Sequence, residues 1–289
     1  MRYIDDDGVP VTIYVPNERQ GGIFWALSQA CRDIGTARHA ILQLFLRDFR
    51  AQFRQKILGY LWALITPLLG IFSFIFLYFA GLLNPGVEDG VPYPIYVLLG
   101  TSLWGCLVGT MGTVSAGLQS QSDLIMRTNI PKLALAISSL ANTIYSILIG
   151  MVTMLIIFLI YGFIPSMWFF AYPLLALPML TLGTAMGLVL SVVGSIAKDL
   201  TQIINQGLTL VMYATPVIYV TSQIENPFVR KVIELNPLTY LIDVPRSLIC
   251  SGRAEHVAQY LWISLGVLTA SLIALRVFYL IQDLVAERL

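Results

Sequence analysis

The stretch LRDFRAQFRQKILGYLWALITPL, residues 46–68, changes character at its middle. Its first half carries Arg47, Asp48, Arg50, Arg54 and Lys56, and its second half carries no charge. Placed on a helix, Leu42, Phe45, Leu46, Phe49, Phe53 and Ile57 share one face, while Gln43, Arg47, Arg50 and Arg54 lie on another. This predicts an interfacial helix over 41–58, apolar side in the acyl boundary and arginines among anionic head groups. Gly59 and Tyr60 then mark an inward turn, with Trp62 at interface depth and Pro67 about one turn inside a first span.

The whole chain has the composition that such a corner requires. Of its 289 residues 57% are hydrophobic and 11% charged, where a soluble domain has about 25% charged. This is an integral membrane protein. A spanning helix needs about 20 mostly apolar residues, and six segments qualify: 61–83, 95–118, 133–161, 172–196, 202–220 and 260–281. They exceed the roughly 9–11 residues of a barrel strand and lack its alternation. The expected fold is all-α, a polytopic protein of six transmembrane helices. Residues 1–40 read as a cytoplasmic lead, beginning with three aspartates and lacking the apolar core of a secretory signal. Cys31, Cys106 and Cys250 are too scattered for a zinc site or a disulfide framework, and read as small apolar residues.

Charge placement sets the expected orientation. Thirteen of the 17 Lys and Arg lie before the first span, in 119–132, in 197–201 or at the C-terminal end. The other four, Arg230, Lys231, Arg246 and Arg253, share one long loop with Glu225, Glu234, Asp243 and Glu255. By the positive-inside rule both termini are cytoplasmic, and an even number of spans agrees.

The span interiors exclude several functions. From 57 to 83, 95 to 121 and 133 to 197 there is no Asp, Glu, Lys, Arg or His. Ion-coupled carriers depend on such groups at membrane depth, and an embedded enzyme needs a cluster of acids, histidines or a nucleophile with its base. His39 and His256 fall on opposite sides of the membrane, and no GxxxxGK[ST] loop is present to hold ATP. Driven transport would therefore need another polypeptide as its engine. Aromatic residues remain: Phe72, Phe76 and Phe79 on one stripe of the first span, Trp104 in the second, Tyr213 and Tyr219 in the fifth. Their faces could stack on sugar rings along a pore, or could face lipid and neighbouring helices.

Two loops are patterned. In QSQSDLIMRTNIPK, residues 119–132, Ser122 could cap a short helix over 121–129 that presents Leu124, Ile125 and Met126 between Asp123 and Arg127. That is a docking knob for a cytoplasmic partner, or a polar turn with incidental apolar residues. In the loop 221–259, Asn226-Pro227 and Asn236-Pro237 each pair a good N-cap with a good first helical residue. Two amphipathic helices are expected within 227–250, as a re-entrant hairpin that either gates a path or packs on the membrane surface.

These elements, in this order over about 40–285, resemble the permease subunits of ABC-2 type exporters that move lipid-linked polysaccharides. That family opens with Arg-Asp on an amphipathic helix, further basic residues, Leu-Gly-x-x-Trp and a proline, matched by Arg47, Asp48, Arg50, Arg54, Leu58, Gly59, Trp62 and Pro67. Asp123-Leu124-Ile125 and Ile130-Pro131 are similar to its coupling helix, Asn-Leu-Ile followed by an aromatic-Pro, with two positions changed and the spacing kept. Lys198-Asp199-Leu200, TPVIYV at 215–220 and NPLTYLIDVPRSLICSG at 236–252 resemble its later motifs.

The resemblance implies a multi-pass protein of the bacterial inner membrane, a homodimer bound to two ABC ATPase subunits. ATP and Mg2+ would sit on those partners, with no cofactor or catalytic site on this chain and no nucleic acid. Closure of the ATPases would pass through Asp123, Leu124, Ile125, Met126 and Arg127. A pore between protomers would be lined from spans one and five, and a gate would include Asn236, Pro237, Tyr240 and Arg246. A lipid-linked O-antigen-like glycan would be met near Arg47, Arg50 and Arg54, whose guanidinium groups suit a pyrophosphate. The alternatives are an ABC-2 exporter of teichoic acid, capsule or a drug, an ion-independent channel, or a membrane-embedded transferase.

Overall fold

The computed structural model describes residues 2–4, 10–12, 22–51, 61–82, 90–120, 130–196, 198–221 and 224–288. It is a helical bundle with one small addition that the all-α reading did not include. Strands β1 (Arg2–Ile4) and β2 (Pro10–Thr12) pair antiparallel, with Tyr3 opposite Val11.

Helix α1 (Ile23–Ala51) starts well before residue 41, so much of the expected lead is part of the bundle. Its added turns bury Ala26, Ala30 and Ala37 on one face, a seam too small to stand out as an apolar stripe. The seam is held from the far end of the chain. The Tyr279 hydroxyl donates to Asp33 Oδ2 at 2.7 Å, the Trp25 ring meets Tyr279 edge-on, and the Arg276 guanidinium lies 5.5 Å from the Trp25 ring centre. Part of the face expected to enter lipid packs on protein instead. Phe45 and Phe49 stack on each other, and Phe49 meets Tyr145 edge-on at 5.3 Å.

Helix α2 (Leu61–Phe79) contains Pro67 and ends in a turn where Gly81 takes a positive φ. Helix α3 (Tyr93–Ser120) is the most enclosed of the long apolar helices. Helices α4 (Lys132–Ser138) and α5 (Leu140–Ile160) follow, then a 3-10 turn (Met167–Ala171), α6 (Tyr172–Leu175) and α7 (Leu177–Ile196). Next come α8 (Lys198–Tyr213), α9 (Pro227–Leu235), α10 (Pro237–Ser251) and α11 (Val257–Arg288).

Among the described residues, four stretches are long and apolar enough to cross a membrane: Tyr93–Leu118, Lys132–Ile160, Met167–Gly194 and Val257–Gln282. The described apolar part of α2, Pro67–Phe79, is shorter. The expected fifth span, 202–220, is not one helix, because α8 stops at Tyr213 and the chain folds into turns through 214–219. Exposed aromatic residues, Trp168, Phe170, Phe228 and Trp262, ring the end of the bundle where the α9–α10 hairpin sits. A membrane–water interface selects this distribution.

The bundle is assembled around the contact of α3 with α7, and α7 packs in turn along α11. Two glycines permit the first contact. A Cβ on Gly183 would stand 2.5 Å from the Leu107 carbonyl oxygen, and one on Gly187 2.7 Å from Val114 Cβ. Where lipid gives helices no hydrophobic reason to associate, such small residues let backbones meet at van der Waals distance. Replacing Gly183 or Gly187 by leucine should therefore cost about 3 kcal/mol in packing. The check is a thermal melt of the purified protein in detergent, where a wild-type transition for both variants would refute this account of the seam.

Candidate functional site

The end of α8 explains the architecture of the hairpin. Pro216 has no N–H to continue the ladder and disfavours helix at Thr215. The carbonyls released beyond Tyr213 would be costly to leave unpaired in an apolar bundle. Donors from distant elements meet them. The Tyr93 hydroxyl donates to the Ile218 carbonyl at 3.2 Å and the Tyr96 hydroxyl to Tyr219 at 3.0 Å. Arg246 Nη1 donates to Val217 at 3.2 Å, and the Tyr219 hydroxyl reaches back to Tyr213 at 2.9 Å. Gly100 must be glycine, since a Cβ there would run into the Val217 carbonyl oxygen.

Arg246 is the strut of this turn. Only 3% exposed, it pairs with Asp243 and lies 3.7 Å over the Tyr96 ring. Of the residues expected in a gate it is the buried one, its guanidinium met by the carbonyl, the carboxylate and the ring from three sides. Asn236 joins the same system. Its side-chain oxygen caps α10 at Leu238 N (3.0 Å), and its Nδ2 donates to Thr215 Oγ1 at 2.9 Å. Pro237 follows as the first residue of α10. Asn226 caps α9 by accepting from Phe228 N and Val229 N. The Tyr240 hydroxyl donates to the Glu234 carbonyl at 2.9 Å, tying the two hairpin helices together. Burial, and after it the nearby Asp243 carboxylate, raise the Tyr219 phenol above its ordinary range.

The aromatic candidates separate. Phe72, Phe76 and Phe79 are 64%, 61% and 70% exposed and form an open stripe on α2. Tyr213 is also exposed, and Tyr219 is half-buried in the turn. Trp104 is 5% exposed and belongs to the core of the chain itself, away from the exposed stripe. A second stripe was missed by the sequence reading. On α8, Gln202, Asn205, Gln206 and Thr209 are exposed while Leu208 is buried. Their i, i+3, i+4, i+7 spacing is legible in the sequence, but hydropathy and aromatic content do not mark it. Both helices pack on α3, and neither stripe contains a charge. No group of three His, Cys, Asp or Glu side chains gathers among the described residues to hold a metal.

Residues 39–249 match the family model of the ABC-2 type transporter. The chain belongs to that family. Three relatives are similar over most of its length. The O-antigen export system permease protein RfbA of Myxococcus xanthus is 24% identical over 213 residues, covering 73% of this chain and 80% of that protein. A protein of the same name from Klebsiella pneumoniae is 24% identical over 212 residues, covering 73% of this chain and 80% of its own. A second from that organism is 23% identical over 231 residues, with 79% and 85% covered.

In this ABC-2 chain the expected coupling residues Asp123, Leu124, Ile125, Met126 and Arg127 lie outside the described residues, as do Arg54, Gly59 and the side chain of Trp62. What flanks the coupling segment is described. Leu118 before it, and Ile130, Leu133, Leu135 and Ala136 after it, share a buried cluster with Ala26 and Ala30 of α1 and Phe278 of α11. Lys132 Nζ donates to the Gln282 carbonyl at 2.7 Å. On α1, Arg47 pairs with its neighbour Asp48 at 2.8 Å, and Arg50 is exposed.

Removing the strut should be the most damaging single change at the hairpin end. Arg246→Ala strips the Val217 carbonyl and Asp243 of their donor, at a cost of about 3 kcal/mol. Arg246→Lys, which keeps the charge but not the planar fork, should fall between it and wild type. Limited proteolysis of the 214–219 turn in purified protein reads the effect directly, and equal cleavage rates in all three proteins would contradict it.

Proposed function

We propose that this chain is the permease subunit of an ATP-driven exporter of O-antigen-like polysaccharide. It works as a homodimer with two separate nucleotide-binding subunits in the bacterial inner membrane. The observation that carries the reading is the pair of uncharged stripes, aromatic on α2 and amide-hydroxyl on α8. Exposed amides on a membrane helix are unfavourable against lipid, where their hydrogen-bonding groups find no partner. Between two copies of the chain they would line a hydrated path. Aromatic faces there stack on sugar rings, amides bond to hydroxyls, and the absence of charge leaves a neutral glycan free to move. The names of the three RfbA relatives support O-antigen export.

The remaining steps follow from the same arrangement. Both termini are cytoplasmic, on the side that carries 13 of the 17 Lys and Arg. ATP and Mg2+ act on the partner subunits, and their closure reaches this chain through residues 121–129. That segment is braced at both flanks by α1 and α11, which favours transmission of a push into the bundle. The exposed Arg50 and the Arg47–Asp48 pair face the head groups where the carrier lipid's pyrophosphate is met. The hairpin gates the far end, and because Arg246 and Asn236 tie it to the turn after α8, gate and pore wall move together.

Two measurements test this reading in a strain deleted for the chain. Thr209→Trp and Gln206→Trp fill the α8 stripe, and each should lower surface polysaccharide at least tenfold while protein level and ATPase activity stay near wild type. Unchanged export in both would remove α8 from the path. Leu124→Asp and Ile125→Asp should uncouple hydrolysis from export in the purified complex, whereas full coupling in both would exclude 121–129 as the contact.

A further inference from the structure

Beside the hairpin opens a cleft of about 690 Å³, lined by α9, α10, the start of α3, the turn after α8 and the loop before α11. That volume suits a small polar molecule. Its chemistry differs from that of the rest of the chain. Arg230, Arg246 and Arg253 line it together with Glu234, Asp243 and Glu255, so six of the few charged residues meet along one cleft with formal charges that cancel.

Two of these cations are already matched within the protein. Arg230 bonds to Glu234 at 3.1 Å, and Arg246 pairs with Asp243. A phosphate or an ammonium would have to compete with these pairs and would gain no net field in return. A neutral hydroxyl ligand meets no such opposition. Carboxylates and guanidinium groups both have more hydrogen-bonding positions than one ion pair uses, and bonds from hydroxyls to ionised groups are stronger than neutral ones.

Rings complete the lining. Tyr240 and His256 line the same cleft, in edge-to-face contact at 5.7 Å. His256 has φ +61, the one non-glycine residue with a positive φ among the described residues. Such a conformation costs about 1 kcal/mol or more and persists where the surroundings hold it. Here it sets the imidazole at the edge of Tyr240 while its carbonyl accepts from Tyr260 N at 3.1 Å.

The geometry points to this cleft as a binding site for a neutral saccharide, holding one or two sugar units against Tyr240 and His256 with Arg253 and Glu255 bonding to their hydroxyls. The assignment rests on the export reading, which brings sugar to this end of the bundle. It adds a subsite at the gate, apart from the stripes of α2 and α8, where the emerging chain is held while the hairpin is closed.

The test uses the full chain in lipid nanodiscs and saturation-transfer difference NMR. The probes are neutral disaccharides of mannose, galactose, glucose and N-acetylglucosamine, with glycerophosphoethanolamine and inorganic phosphate as the charged arms. Arg253 and Glu255 are exposed, and the Arg246 strut is made with Val217, Asp243 and Tyr96, so Arg253→Gln and Glu255→Gln should keep the wild-type melting temperature. At least one disaccharide should show transfer to the wild-type chain, with affinity at least fivefold weaker in both variants. No transfer from any disaccharide, equal affinity in the variants, or a response confined to the charged probes would overturn the assignment. Surface polysaccharide in the deletion strain separates the two readings. Sugar binding without an export defect on deletion removes the export function and leaves the site, and an export defect without sugar binding does the reverse.

Discussion

A helix that stops inside an apolar bundle leaves its last carbonyls without donors, and the hairpin end of this protein is organised around meeting that need. Val217, Ile218 and Tyr219 receive bonds from Arg246, Tyr93 and Tyr96, residues on two different helices. The arginine must itself be neutralised at that depth, which Asp243 and the Tyr96 ring accomplish. Satisfying one turn thus draws α3, α8 and α10 into fixed relation. The hairpin therefore stands as an extension of the α8 turn, and a change in the direction of α8 is a change in the hairpin.

How far the sequence could be read depended on the range of the interaction concerned. The two Asn-Pro pairs were legible because a cap and a first helical proline are local, and α9 and α10 begin at those residues. The end of α8 was not. A hydropathy window over 202–220 averages across Pro216 and cannot register donors at positions 93, 96 and 246. The early start of α1 was hidden because its buried seam is made of alanines, whose burial depends on Phe278 and Tyr279 arriving from the other end of the chain. Trp104 could not be placed by periodicity, since in a membrane helix the lipid face and the packed face are equally apolar. Arg246 was conspicuous as a charge in an apolar segment, but whether it opened outward or closed inward was a tertiary question.

The stripe on α8 makes the opposite point. Gln202, Asn205, Gln206 and Thr209 needed no structure to be seen, only attention to amides as well as to charges. In a chain with so few ionisable groups, neutral polar side chains carry most of the functional signal. These four are exposed on the surface of the chain, as are Phe72, Phe76 and Phe79 of α2.

The close approach of α3 and α7 has a mechanical consequence. Helices that meet backbone to backbone, with Gly183 seated on the Leu107 carbonyl and Gly187 against Val114, cannot slide past each other by even part of a residue without collision. Together with α11, packed along α7, they behave as one stiff plate. Rearrangement within the chain is therefore directed to the margins of the plate, where α2 and α8 pack. Of the two helices that present the uncharged stripes, α2 is joined to the plate by packing on α3, whereas α8 is also tied to α3 through the turn that follows it.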